Sequence, residues 1–178
     1  CEACDKGQVQ PSAGNEACSE CDVGKFAPDK NATSCKQCPV GYKQTSKGSS
    51  SCEACDKGTF ANMTGLTYCF SCRAGQFADK KGLGECLDCR AGRFSELASS
   101  RCTRCAAGTH AFENGTKQCL LCKVGRFQNL QGKIECKLCP AGYKQISKGS
   151  SSCDACDKGQ VQHFAGNATC TDCDAGKF

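Results

Sequence analysis

Residues 35–58 read CKQCPVGYKQTSKGSSSCEACDKG. One CxxC pair opens at Cys35 and a second at Cys52, 17 residues on, with Gly41 and Gly48 between them. Extending this unit in both directions finds pairs starting at Cys1, Cys18, Cys35, Cys52, Cys69, Cys86, Cys102, Cys119, Cys136, Cys153 and Cys170. The step is 17 residues throughout, apart from one of 16 between Cys86 and Cys102. A longer period lies over the short one: residues 38–58 and 139–159 agree at 18 of 21 positions, and residues 1–26 and 153–178 at 18 of 26. Self-similarity at a fixed period is the signature of a repeat architecture. The expected organisation is one continuous cysteine-rich array over residues 1–178, eleven repeats long, enlarged by block duplication and forming a piece of a longer chain.

Composition decides what can hold such an array together. Leu, Ile, Val and Phe supply only 24 of the 178 residues, whereas Cys supplies 22. That aliphatic share is too low for a conventional packed core, and the cysteine share is that of a disulfide scaffold. No apolar run approaches the ~20 residues that a membrane-spanning helix needs. The net charge of +5 is spread along the chain as scattered Lys and Arg rather than gathered into a basic patch. That distribution fits a solvated surface and argues against nucleic acid as a partner.

The seventh position of every repeat is Gly, from Gly7 and Gly24 through to Gly176. A position restricted to Gly calls for positive φ or a close backbone approach. The fourteenth position is Gly in eight of the ten complete repeats and Asn31 in the second. The sixth repeat, FSELASSR, has no Gly there, so its turn is expected to differ. The runs between the two glycines are too short for helices and carry a β-prone aromatic. Each repeat therefore reads as a short, loop-rich β-hairpin with its tip near positions 11–15. The expected fold class is small disulfide-rich β, a tandem array of eleven hairpins stacked into an elongated rod in which each unit touches only its neighbours. The ninth-position aromatics Phe26, Phe60, Phe77, Phe94, Phe127 and Phe178 are expected to cover a disulfide or pack on the next repeat. Val9, His110 and Val161 occupy the same place, while Tyr42 and Tyr143 shift by one, so their two repeats are expected to pack differently.

Two CxxC pairs at this spacing also lie close to zinc-ribbon spacing. The compartment argues against metal. Four N-glycosylation sequons, at Asn31, Asn62, Asn114 and Asn167, all fall at the expected hairpin tips, where glycan attachment requires them. Secretion follows, and with it oxidised cysteines. The block duplications favour a connectivity in which every repeat is equivalent, the simplest being the second Cys of one repeat to the first of the next. The pairs are Cys4–Cys18, Cys21–Cys35, Cys38–Cys52, Cys55–Cys69, Cys72–Cys86, Cys89–Cys102, Cys105–Cys119, Cys122–Cys136, Cys139–Cys153 and Cys156–Cys170. Cys1 and Cys173 would find partners elsewhere. Bridges inside each CxxC are the other equivalent scheme.

The unit C-x-x-C-P-x-G-Y, present as CKQCPVGY and CKLCPAGY, resembles the cysteine-rich repeats of ephrin-receptor ectodomains and the first loop module of tumour-necrosis-factor-receptor repeats. The uniform step also resembles that of fibre-forming extracellular glycoproteins such as the hairs of protist flagella. These resemblances imply an extracellular, secreted or cell-surface structural glycoprotein that self-associates into a filament and carries covalent N-glycans. A receptor stalk or ligand-binding ectodomain is the alternative. The latter would need anchors that break the pattern, and Arg90, Arg93, Arg101 and Arg104, with Leu120 and Leu121 beside them, are the candidate contact patch. No nucleophile pattern, HExxH or phosphate loop occurs, so no enzyme and no cofactor is expected. The acidic residues Asp5, Asp22, Asp56, Asp157 and Asp174 lack the ligand run of a calcium loop.

Overall fold

The computed structural model describes residues 3–12 and 17–176. It is all β, with no helix among the described residues, and consists of ten two-stranded sheets built from two-residue strands. In the first hairpin, β1 (Gln8–Val9) pairs antiparallel with β2 (Ser19–Glu20), setting Gln8 opposite Glu20 and Val9 opposite Ser19. Each hairpin takes one strand from a repeat and its return strand from between the two cysteines of the next. Eleven CxxC pairs therefore make ten hairpins, not the eleven expected from counting repeats.

One bridge closes each hairpin, from Cys4–Cys18 and Cys21–Cys35 through to Cys139–Cys153 and Cys156–Cys170. The Cα atoms of the first pair stand 5.7 Å apart, inside the range a disulfide spans. A two-residue ladder is marginal on its own, so the bridge across a loop of about 15 residues, worth up to ~3 kcal/mol, keeps each hairpin closed. Cys173 forms no bridge among the described residues, and Cys1 lies outside them.

The seventh-position glycine starts the hairpin. Gln8 donates its backbone N–H to the Asp5 carbonyl at 3.1 Å across Gly7, whose φ is 86°. A type II turn needs positive φ at that third residue. Gly7 is also confined in space, for a Cβ there would stand 1.8 Å from the carbonyl oxygen of Gly48.

Contacts group the chain into two compact units, one made of Cys1–Arg73, Phe77–Leu87 and Leu97–Arg101, the other of Ala74–Gln76, Asp88–Glu96 and Cys102–Phe178. In the first unit Gly7, Gly24 and Gly41 lie against Gly48, Gly65 and Gly82, each pair two hairpins apart. Gly24 donates to the Gln44 carbonyl and Gly41 to the Ala61 carbonyl, both at 2.8 Å, while Gly48 donates to Cys21 and Gly65 to Cys38, also at 2.8 Å. In the second unit Gly75, Gly92, Gly108 and Gly125 lie against Gly115, Gly132, Gly149 and Gly166 in the same way. Each hairpin thus engages the next but one as well as the next, which corrects the expectation of contact between neighbours alone.

The interior is made of residues the ninth-position rule does not name. Second cysteines from Cys21 to Cys139 are fully buried. The tenth position is buried as Ala27, Ala61, Ala78 and Ala111 and as Ser95, Gln128 and Gln145, while Gln10 and Gln44 at the same place are half-buried. The ninth-position Phe26, Phe60, Phe77, Phe94 and Phe127 are only half-buried, and Phe178 lies outside the described residues. Val9 shows what this position covers: it packs with Cys21, Cys35 and Ala27, over the disulfide of the following hairpin. Where the tenth residue is Gln, its amide satisfies the loop: Gln145 donates through Nε2 to the Ser152 carbonyl and accepts from the Ser147 N–H, both at 2.8 Å. Gln128 does the same with Glu135 and Leu130.

Two further expectations change. The sixth repeat keeps the standard turn: Ala98 takes the fourteenth place with φ 56° and donates to the Cys72 carbonyl at 2.8 Å, and Gly58 lies against its carbonyl. The missing residue has come out ahead of that turn. The hairpins beginning at Tyr42 and Tyr143 keep the common register, Tyr42 opposite Ala54 and Tyr143 opposite Ala155.

Candidate functional site

The four sequon asparagines are all exposed. Asn31 occupies the fourteenth place at φ 59°, a left-handed position that Asn tolerates better than most residues, and donates its backbone N–H to the Cys4 carbonyl at 3.0 Å. Asn62 follows the buried Ala61 directly, so its side chain starts where the hairpin leaves the interior. The Asn114 amide oxygen accepts the Ala91 N–H at 2.8 Å, and Asn167 donates through Nδ2 to Gln162 Oε1 at 2.8 Å.

Four of the acidic residues that follow the second cysteines, Asp5, Asp22, Asp56 and Asp157, are bound to lysines. Asp5 pairs with Lys30 at 2.9 Å, Asp22 with Lys47 at 3.1 Å and Asp56 with Lys81 at 2.7 Å. Each lysine lies 25 positions further on, so these pairs tie one hairpin to the next in a fixed register. Asp157 pairs instead with Lys144 at 2.7 Å. Hydrogen bonding to Lys81 holds the Asp56 carboxyl below its ordinary range, and Lys144 does the same for Asp157. Exposed ion pairs of this kind contribute little each.

Arg93 and Arg104 are direct cross-strand partners, and like charges so placed repel. Their heads diverge: Arg93 Nη1 donates to the Cys102 carbonyl at 3.2 Å, while the Arg104 stem lies over Gly132. Arg90 belongs to the same unit as these two, and Arg101 to the other. Leu120 and Leu121, 61% and 57% exposed, are the return strand facing His110 and Thr109.

Arg104 belongs to a stripe that sequence reasoning missed. The residue before the second cysteine lies over the fourteenth-position glycine of the following repeat: Glu20 over Gly48 and Gln37 over Gly65 in the first unit. Asp88, Arg104, Leu121 and Leu138 lie in turn over Gly115, Gly132, Gly149 and Gly166 in the second. The side chains on this stripe change from acidic through basic to apolar while the backbone beneath repeats. The signal was the lack of any shared chemistry at a place flanked by invariant cysteines.

Residues 12–55 and 108–156, just over half of the chain, match the model of the family described as tyrosine-protein kinase ephrin type A/B receptor-like. The chain belongs to the ephrin-receptor-like cysteine-rich repeat family. No curated protein matches it. Repeats of the ephrin-receptor-like kind are typical of extracellular cysteine-rich segments, and the ten bridges here agree with that setting. The family is a disulfide-rich repeat family and typically non-catalytic.

Proposed function

We propose that these ephrin-receptor-like repeats form one continuous structural array, an extracellular N-glycosylated rod that self-associates into a filament. The observation that supports this reading is the recurrence in each unit of the same backbone bonds, seventh-position Gly to the following hairpin and fourteenth-position Gly to the preceding one, and of the same close approach between glycines two hairpins apart, with side chains free to vary outside. An array of that kind spends its sequence on a uniform repeat rather than on one reactive centre. Asn31, Asn62, Asn114 and Asn167 carry the glycans, which keep the exposed tips soluble and shield them from proteases. Electron microscopy of the purified protein tests the reading: long uniform fibrils support it, and short single rods overturn it.

A second reading, a receptor stalk or ligand-binding ectodomain, draws on the exposed Leu120 and Leu121 and on the exposed Arg90 and Arg104 of the same unit. Apolar and Arg side chains exposed together resemble an interface anchor. Intact mass before and after reduction and deglycosylation reports bridges and sugars under either reading.

A further inference from the structure

The ninth-position side chain covers the disulfide of the following hairpin, as Val9 covers Cys21–Cys35. In one hairpin that side chain is an imidazole. His110 is half-buried, and its Nδ1 lies 3.2 Å from Sγ of Cys136, which is bonded to Cys122. The His110 ring nitrogen and the two sulfurs all lie within 4.8 Å of one another, the one such His, Cys and carboxylate grouping among the described residues. Cys136 is 7% exposed, whereas the other first cysteines from Cys18 to Cys170 are half-buried. Elsewhere the ninth place holds Val or Phe, or Lys43 and Lys144, whose ammonium groups are engaged by Glu53 and Asp157.

We propose that Cys122–Cys136 is the thiol-exchange site of this chain, the bridge a small monothiol reduces in preference to the other nine. The reason is thermodynamic. A disulfide becomes easier to reduce when its dithiol form is stabilised, and a thiol beside an imidazole is stabilised as the thiolate. Two monothiols, RSH, convert the bridge to products. Attack by the first on Cys122 Sγ breaks the S–S bond and forms a mixed disulfide, with Cys136 leaving as thiolate. The proton released from the attacking thiol goes to His110, giving an imidazolium–thiolate pair. The second RSH then displaces Cys122 as a thiol and forms RSSR. One proton ends on Cys122 and one on His110, and the two electrons come from the oxidised monothiols. Burial of Cys122 makes the attack wait for local opening of the hairpin, which slows the approach to equilibrium and leaves its position unchanged.

The test is equilibration of the full chain in a glutathione-type redox buffer at fixed pH, followed by acid quenching, alkylation and peptide mapping of the free thiols. Cys122 and Cys136 are expected to be reduced at least tenfold more than the median bridge, a difference of about 30 mV for this two-electron couple. In His110→Phe, which restores the ring found at this place in other repeats, the excess disappears. Should that variant fail to secrete, His110→Val replaces it, giving the side chain that Val9 and Val161 have at this place. Uniform reduction across the ten bridges, or an excess that survives both substitutions, overturns the proposal. None of these readouts depends on filament formation.

Discussion

Gly41 and Gly82 meet backbone to backbone, two hairpins apart: a Cβ on Gly41 would stand 2.1 Å from the Gly82 carbonyl oxygen. The reverse contact is loose, since a Cβ on Gly82 would meet only the Tyr42 ring at 3.6 Å. Both residues have positive φ, 88° and 75°. Gly82→Ala should therefore cost only the left-handed backbone term, about 1–2 kcal/mol. Gly41→Ala adds overpacking against a carbonyl that cannot turn away, a further ~1–3 kcal/mol. Chemical unfolding with the bridges intact measures the two, and equal losses would refute the close approach.

Ala98 carries the opposite expectation. It holds φ 56°, the conformation that Gly adopts at the same place in the neighbouring repeats. Ala98→Gly removes the left-handed cost of about 1–2 kcal/mol and gives back ~0.4–1 kcal/mol through a freer unfolded chain. The net gain, of order 0.5 kcal/mol, should appear as a small rise in the denaturant midpoint. A loss would mean that the turn around Ala98 does not share the geometry of Gly65 and Gly82.

Gln145 separates donor from acceptor chemistry inside the fold. It is 5% exposed and binds one carbonyl and one N–H of its own hairpin. Gln145→Ala leaves both backbone groups without a partner, at a cost of ~1–3 kcal/mol. Gln145→Glu should be worse, because an ionised carboxylate at this buried place has no hydrogen to give the Ser152 carbonyl. Hydrogen exchange at the Ser147 amide is the local measurement: it should speed up in Gln145→Ala, whereas the Glu carboxylate still accepts that N–H and its cost falls on the Ser152 carbonyl.

The Asp56–Lys81 pair sets a pH dependence of known sign. The Asp56 carboxyl titrates below its ordinary value because Lys81 hydrogen-bonds it, so its contribution is complete above about pH 4 and disappears as the pH falls through the lowered folded value. Lys81 titrates above its ordinary value, so its share persists at neutral pH and is lost only in strong alkali. Thermal unfolding of Asp56→Asn and of the unsubstituted chain should converge in acid and in high salt. The difference at neutral pH and low salt should be small and in favour of Asp56, as for any exposed pair.

The glycine positions and the hairpin were legible in the sequence because each rests on a backbone demand that a single residue type meets. Gly41 could be read as special from spacing alone, yet not that its neighbour would be Gly82, since nothing local encodes a contact between next-but-one hairpins. The buried tenth position was illegible for a different reason. Ala61, Ser95 and Gln145 share no chemistry; they share a place where a side chain must be either very small or able to satisfy itself. The aspartates looked like isolated charges until the fold brought Lys30, Lys47 and Lys81 to them. His110 read as one substitution among rings, and its meaning came only from the sulfur beneath it.

The order of the bridges also sets how far the chain can stretch. Tension entering at Cys4 crosses to Cys18 through sulfur, runs three residues to Cys21, and crosses again to Cys35. The loop residues between bridged cysteines never bear load. Even with every hydrogen bond broken, one repeat then extends to about 17 Å, three extended residues plus a 5.7 Å bridge. Without the sulfur links the same 17-residue repeat would pay out ~60 Å. Pulled hard, the molecule behaves as a short chain of covalent links with slack loops hanging from its sides.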